Sequence, residues 1–359
     1  MDNELISVLV AVYNIESRLP RCLESIVSQT YPHLDVVLVD DGSTDRSGAI
    51  CDDMAKSDSR FRVVHKENGG LYSARNVGFA ASRGKYIMFV DGDDYLHVDA
   101  IKAALEAING EGGPYDLAIF DRTFTLNSDE DIHAPFHPSP HFDSARSGFP
   151  ASPPTPSHST LTQKQLIANL FTHPDDALFT YMWNKLYRRE TIAGIETRPF
   201  KRSQDFDFNL RVYLHAQRAV WVHRPLYFYV QWGGAATHQP ETFNIYYRCI
   251  TQILYSNLQE MPADKRQYRH FLLTKLYRRM VSLKNHTLGT SMESEGKRLC
   301  NEYERATRKE FLHDSQITLI TKVTLLFLLH NPRLVKWVKA LSKRWKPFNF
   351  LGRWFFWIK

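Results

Sequence analysis

Three carboxylates, Asp91, Asp93 and Asp94, crowd into VDGDD (Val90–Asp94) directly after an apolar run. Like charges this close repel one another unless a cation shares them. A hard divalent ion meets that need, since Mg²⁺ or Mn²⁺ takes one or two carboxylates and completes its shell with water and phosphate oxygens. The plain alternative is a solvated acidic turn capping a helix near His97. A second acidic segment, VDDGSTD (Val39–Asp45), also follows an apolar run. Asp41-Gly42 makes a tight turn there and Ser43 or Thr44 caps a helix. Two consecutive aspartates exceed what a cap requires, and one can accept hydrogen bonds from a base N–H. A third, NGGLYSARNVG (Asn68–Gly78), joins a close-approach Gly69-Gly70 pair to Arg75, which suits a base carbonyl or a phosphate; a solvated helical arginine is its alternative.

These residues need a scaffold that gathers them. ISVLVAVY (Ile6–Tyr13), VVLVD (Val36–Asp40), RVVH (Arg62–His65), YIMFVD (Tyr86–Asp91) and DLAIFD (Asp116–Asp121) are short, apolar and rich in β-branched or aromatic residues. Helical patterns alternate with them, such as Leu19–Gln29 and Ser43–Lys56. The order predicts a doubly wound, mostly parallel α/β sheet with helices on both faces, and ligands collect beyond the carboxyl ends of such strands. Asn14, Asp40, Asp41 and the VDGDD segment all fall there. Residues 127–160 carry seven prolines from Pro135 to Pro156 with many Ser and His, which predicts a long loop. Its histidines, 133, 137, 141 and 158, suit a mobile polar loop better than a metal cluster. Residues 161–187 read as helix-rich, AVWVH (Ala219–His223) and LYFYV (Leu226–Val230) as two strands, and the chain from Glu241 onward as helical.

Composition narrows the classes. The 359 residues are 43% hydrophobic and 13% aromatic, ample for a core and incompatible with dominant disorder. Four scattered cysteines without CxxC spacing exclude a disulfide scaffold and the usual zinc sites. No dinucleotide fingerprint or P-loop is present, so hydride transfer from NAD and ATP hydrolysis lack a motif. The N-terminus shows no complete signal segment, and the expected location is the cytoplasm. The net charge of +6 is uneven: Ser315–Lys359 holds nine Lys or Arg, four tryptophans and no acid, leaving the remainder at −3.

Taken in order, VLVAVYNIESRLPRCLESIVSQTYPHLDVVLVDDGSTD, NGGLYSARNVGFAASRGKYIMFVDGDDYL and WNKLYRRE resemble the family 2 glycosyltransferases, inverting enzymes of the GT-A fold. The resemblance covers about the first 235 residues of the sequence. It implies a catalytic domain over residues 1–235, after which helical periodicity predicts a helical region over 236–330 and the basic, aromatic composition a tail over 331–359. It further implies that Ala11 and Tyr13 line the nucleotide base and Asp41 bonds it. Arg75 would touch the base edge, Asp91 approach the ribose, Asp93 bind the metal, and Asp94 support the ion. Family members often carry a Glu-Asp pair that supplies a general base, because an acceptor hydroxyl needs one. Here RSQDFDFNLRV reads Gln204-Asp205, so Asp205 is the expected base, with Asp207 as the alternative. In WNKLYRRE, Trp183 could offer a flat face to a sugar and Lys185 a charge to the diphosphate, although Trp183 could equally be core.

The tail repeats Leu334, Trp337, Val338, Leu341 and Trp345 at helical spacing among lysines and arginines, a pattern suited to a membrane interface. A helix packed on the rest of the protein is the alternative, and nucleic acid has no accompanying module. The expected protein is therefore a metal-dependent inverting glycosyltransferase on the inner face of the plasma membrane. It would move a sugar from a nucleotide-sugar, with a uridine diphosphate sugar favoured, to a glycan or lipid-linked glycan. Gln204 prompts the competing expectation of a nucleotide-sugar-binding subunit without turnover. A sugar-nucleotide nucleotidyltransferase would share the architecture but should show a Gly- and Lys/Arg-rich loop where this chain has VYNIESRLP.

Overall fold

ISVLVAV (Ile6–Val12) forms β1 and is buried along nearly its whole length, as an apolar run without alternation demands of a strand covered on both faces. It pairs in parallel with β2 (Leu34–Asp40) and β4 (Tyr86–Asp91), and β3 (Phe61–His65) continues the sheet beyond β2. Helices α1 (Leu19–Val27), α2 (Ser47–Ser57) and α3 (Leu71–Ala81) make the crossovers. In α1, Leu19, Cys22, Leu23 and Ile26 are buried at helical spacing, and a proline sits in the first turn where its missing N–H costs nothing. The register sets Ala11 beside Asp91 and Val12 beside Asp40, so these strands end on one edge. The computed structural model describes residues 3–126, 158–172, 178–231 and 242–333.

Beyond β4 the sheet is mixed. The strand order is β3-β2-β1-β4-β8-β6-β9-β5, where β5 is Tyr95–Leu96, β6 Leu117–Leu126, β8 Lys185–Arg188 and β9 Arg218–Gln231, and β7 (His158–Thr162) pairs with β9. The short β8 lies antiparallel between β4 and β6. Thus KLYR, inside the stretch expected to wall a pocket, is a central strand. AVWVH and LYFYV form one strand rather than two, paired in parallel with β6, and the register shifts where Pro225 meets Asp121. A bulge accommodates a residue with no N–H to donate. Helix α4 (Ala100–Asn109) packs on β6 and β9, and α5 (Gln163–Thr172) follows β7. The expected loop 127–160, with His133, His137 and His141, lies outside the described residues except for His158, Ser159 and Thr160. Those three, His158 included, are strand instead of loop.

The chain divides into two compact units, one of Met1–Pro199 with Gln204–Ala235, the other of Phe200–Ser203 with Ala236–Lys359. The first contains the sheet and α6 (Gln204–His215). The second contains α7 (Thr242–Glu260), α8 (Arg269–Thr287), α9 (Glu293–His313) and α10 (Leu319–His330). Helix α8 is its centre, with Leu272, Leu276, Tyr277 and Met280 fully buried and Tyr277 stacked 3.8 Å from Phe311 of α9. Helix α10 is apolar on both sides, with Leu325, Leu328 and Leu329 buried. Leu319, Ile320, Val323 and Phe327 share its exposed side, from 54% to 74% accessible. Among the described residues no helix is long and apolar enough to cross a membrane.

At the end of β3, His65 joins two neighbouring elements. Its Nε2 lies 3.0 Å from Asp52 of α2 and its Nδ1 2.9 Å from Asp40 of β2. Hydrogen bonds to Asp52 and then Asp40 raise the imidazole pKa. A raised folded-state pKa contributes stability that is complete below the unfolded value of about 6.5 and fades as pH rises through the folded value. His65→Gln should therefore lower the urea midpoint at pH 5.5 more than at pH 9. The cost should stay below about 1 kcal/mol, because the ring is half exposed and water screens the pair. An equal effect at both pH values would count against the charged bridge.

Candidate active site

The amide of Gly70, at a φ of 85° that glycine tolerates best, opens α3 and sets the direction in which Arg75 emerges. The guanidinium of Arg75 is buried and binds two carboxylates. Nη1 donates to Asp205 Oδ1 at 2.5 Å and Nη2 to Asp91 Oδ1 at 3.0 Å. Asp205 sits in the first turn of α6, and its second oxygen accepts the N–H of Met182 at 3.1 Å. Burial works against the charge on Arg75, but Asp205 and Asp91 outweigh it and raise its pKa. Burial pushes Asp91 up to about 6, with Asp205 and Asp93 adding to it against the pull of Arg75.

The VDGDD turn is built around Gly92. A Cβ there would lie 2.6 Å from Ile15 Cδ1 and 2.9 Å from the Ala11 carbonyl oxygen, so only glycine lets the turn lie against the end of β1. Asp94 is 2% exposed, and both of its oxygens face β9: Oδ2 accepts from Tyr227 Oη at 2.7 Å and Oδ1 from the Val230 N–H at 2.8 Å. Burial, then Asp93 and Asp91, raise its pKa well above the carboxylate range. Tyr227 Oη also accepts the Asp91 N–H at 3.2 Å. Asp94, expected beside an ion, thus braces through β9 the turn that carries Asp93. Asp93 and Asp91 remain partly exposed, and this oxygen-only pair fits a hard cation that keeps water and phosphate in its shell. Among the described residues no group of three or more metal-binding side chains gathers.

At the ends of β1 and β2, Ala11 is half-buried and Tyr13 is 49% exposed. Asn14 takes a left-handed φ of 51° and accepts the Thr44 N–H at 2.8 Å, which ties the two strand ends together. Asp41 is engaged by the protein. Its carboxylate accepts from Lys66 Nζ at 2.5 Å and from the N–H groups of Gly69 and Gly70 at 2.9 and 2.7 Å. Asp41, expected to contact the base, therefore has a structural duty, the shaping of the Lys66–Gly70 loop. Arg75, expected at a base edge, is instead held between Asp91 and Asp205.

Two further expectations are corrected. Trp183 is 1% exposed, and its rings stack between Tyr227 at 4.2 Å and Tyr181 at 4.5 Å, so it is core and presents no face to a ligand. Lys185 is fully buried, and burial lowers its pKa well below the usual lysine value. Its Nζ donates to the carbonyls of Leu178 (2.8 Å) and Tyr181 and to Asn184 Oδ1 (2.7 Å), which uses all three donors and removes it from any diphosphate. The Asp205/Asp207 alternative also separates in space. Asp207 is fully buried and paired with Arg211 at 2.7 Å, whereas the side chain of Asp205 keeps 17% exposure beside Arg75. The roles of Met182, Lys66 and Tyr227 had no signal in the sequence. Only the tertiary fold brings a backbone amide, a loop lysine and a strand tyrosine to carboxylates far away in the chain.

The model of the family described as Glycosyl transferase family 2 matches residues 7–188. The "Uncharacterized glycosyltransferase EpsJ" of Bacillus subtilis is 32% identical over 240 residues, covering 66% of this chain and 64% of that protein. Glycosyltransferase GlyA of Streptococcus pneumoniae is 26% identical over 97% of this chain and 51% of its own length. The chain thus spans between about half and two thirds of these relatives. Among solved structures, S. aureus TarS 1-349 in complex with UDP-GlcNAc aligns with a TM-score of 0.63 at 19% identity, over 84% of this chain and 81% of TarS. A mannosyltransferase of Pyrobaculum calidifontis, PcManGT, in complex with GDP-Man and Mn²⁺, aligns at 0.51 and 12% identity, over 99% of this chain and 85% of the other. At such identities the structural likeness establishes a shared fold, which is GT-A.

The burial of Lys185 has a measurable consequence. Lys185→Met keeps the length of the stem but leaves Asn184 Oδ1 without its donor and the Leu178 and Tyr181 carbonyls with only the Asn184 and Asn209 amides. Unfolding in urea should show a loss of about 1–3 kcal/mol, given the cost of an unsatisfied buried acceptor. A variant as stable as wild type would return Lys185 to the list of ligand-binding residues.

Proposed function

The chain belongs to glycosyl transferase family 2, and from that membership we propose that it moves a sugar from a nucleotide-sugar donor to a hydroxyl of a glycan, with inversion at C1. The observation that carries the reading is the Arg75 bridge, which joins the VDGDD turn to Asp205 in one cluster. In this scheme Ala11 and Tyr13 line the nucleotide base, Asp41 orders the loop beneath it, and Asp91 approaches the ribose. Asp93, with Asp91 beside it, would hold a Mn²⁺ or Mg²⁺ ion, whose chemistry is to neutralise charge on the leaving diphosphate. Arg18 and Arg21 line a recess with Asp93 and Asp94 and supply the cationic contact to diphosphate that Lys185 cannot. Asp205 takes the proton of the acceptor hydroxyl as that oxygen bonds to C1. The bond from C1 to the diphosphate oxygen breaks on the opposite face, so the configuration inverts. The UDP-GlcNAc held by TarS supports a uridine diphosphate sugar as donor.

The exposed apolar side of α10 supports an enzyme working on a membrane surface, with a lipid-linked glycan as acceptor. It lies within Ser315–Lys359, a run with nine basic residues and no acid. Residues 334–359 of that run, most of the expected 331–359 tail, lie outside the described residues. The inner face of the plasma membrane is the surface where a cytoplasmic nucleotide-sugar would meet such an acceptor.

Asp205→Asn should slow transfer by roughly 10²–10⁴ at saturating donor, the usual worth of a positioned general base, and should also lower stability because Arg75 loses one of its two charged partners, so the rate is read on protein shown folded by circular dichroism. Asp207→Asn should chiefly destabilise the fold; the reverse pattern would move the base. A wild-type protein that binds donor but releases no free nucleotide with any acceptor would favour the non-catalytic subunit prompted by Gln204. Asp93→Asn should abolish the metal-dependent part of donor binding in calorimetry, and unchanged binding at limiting Mn²⁺ would remove Asp93 from the site. The full chain should co-sediment with phosphatidylglycerol vesicles more than with phosphatidylcholine vesicles, and less so in high salt. Equal recovery on both would exclude the charged surface contact.

A further inference from the structure

The face expected of Trp183 exists one ring away. Tyr181, Trp183, Tyr227 and Tyr229 form a nearly parallel group, with interplanar angles from 10° to 19°. Trp183 and Tyr227 are its buried members, and Tyr227 is anchored by Asp94 and the Asp91 amide. Tyr181 and Tyr229 are half-buried and meet at 6.1 Å. Phe124, cross-strand partner of Tyr229, stands edge-on to it at 5.7 Å and is 49% exposed. The guanidinium of Arg122 lies 4.8 Å from the Phe124 ring centre and 5.6 Å from that of Tyr181.

This aromatic face lies on the base side of the site. Tyr181 immediately precedes Met182, whose amide holds Asp205. The face is carried by β6, β9 and the segment before β8, across β4 from the β1 and β2 ends where Tyr13 and Asp41 stand. We propose that Tyr181, Tyr229 and Phe124 form a platform for one pyranose ring of the acceptor, with Arg122 at its rim. A pyranose has a C–H face that stacks on aromatic rings and a rim of hydroxyls that accept hydrogen bonds from a guanidinium. Stacking there would present a neighbouring hydroxyl to Asp205. The inference rests on the glycosyl-transfer reading and adds to it the residues that seat the acceptor ring.

The test is saturation-transfer NMR on the full chain with UDP and Mn²⁺, probing methyl β-glucopyranoside, methyl β-galactopyranoside and methyl β-N-acetylglucosaminide. At least one glycoside should receive saturation mainly on the C–H protons of one ring face. Tyr181→Leu and Tyr229→Leu keep apolar bulk but remove the ring. Each should cut the signal by about fivefold, on the scale of one lost aromatic contact. Tyr181→Phe and Tyr229→Phe should retain it. Circular dichroism checks the fold of each variant, and Phe124→Leu, at the exposed rim, serves if the others fail to fold. No saturation on wild type, or full saturation in the leucine variants, overturns the platform. Titrations of wild type with UDP, GDP, CDP and dTDP separate the two claims. Nucleotide binding without glycoside contact defeats the platform alone, glycoside contact without binding of any of the four defeats the glycosyl-transfer reading alone, and loss of both defeats both.

Discussion

A guanidinium fully removed from water must be paired, and the pairing of Arg75 with Asp91 and Asp205 constrains everything around it. Removing one partner of such a group leaves a charge stranded at a cost of several kcal/mol. The end of β4, the start of α3 and the first turn of α6 must therefore arrive at the same point. Met182 and its preceding loop must arrive as well, since the second oxygen of Asp205 needs the Met182 amide. Four segments of the chain are thus held to one geometry around a single side chain.

The Leu178–Met182 loop is fixed by polar groups rather than by apolar packing alone. Besides Lys185, the amide of Asn184 donates to the Phe120 and Leu178 carbonyls, and that of Asn209 to the Thr180 and Tyr181 carbonyls. Tyr213 Oη donates to the Phe179 carbonyl at 2.7 Å. An irregular backbone inside a protein carries carbonyls that water would otherwise satisfy, so each needs a donor of its own. These side chains turn what would be a soft loop into a fixed wall for Asp205 and the aromatic group.

The parallel half of the sheet was legible because its strands are continuous apolar runs and its acidic turns follow them at strand ends. The period of the pattern and the position of the turns carry that information locally. In WNKLYRRE, residue type alone does not tell a buried lysine or tryptophan from a ligand-binding one, which is why both readings stood for Trp183 and only the ligand reading for Lys185. Lys185 is buried only because Leu178, Tyr181 and Asn184 turn their oxygens towards it, and those are partners a linear reading cannot supply. The merging of AVWVH and LYFYV escaped for a related reason, since the intervening proline reads as a break unless a bulge is allowed. Asp205 was legible through its motif, while its tie to Arg75 was not.

The four-residue β8 also has a kinetic meaning. On one side of it, β1 to β4 are parallel and joined by single helical crossovers, so their pairings close over modest stretches of chain. On the other, β6 reaches β9 and both reach β4 only through β8, which pairs Met88 with Leu186 and Ala118 with Leu186. Closing those contacts demands the ordering of long loops before any reward, the slow case for a folding chain. The half-sheet that bears Tyr13, Asp41 and the VDGDD turn is thus the natural first-formed unit. Residues from Asp116 onward would dock against it late, completing the Asp205 side of the site only when β8 zips into the gap.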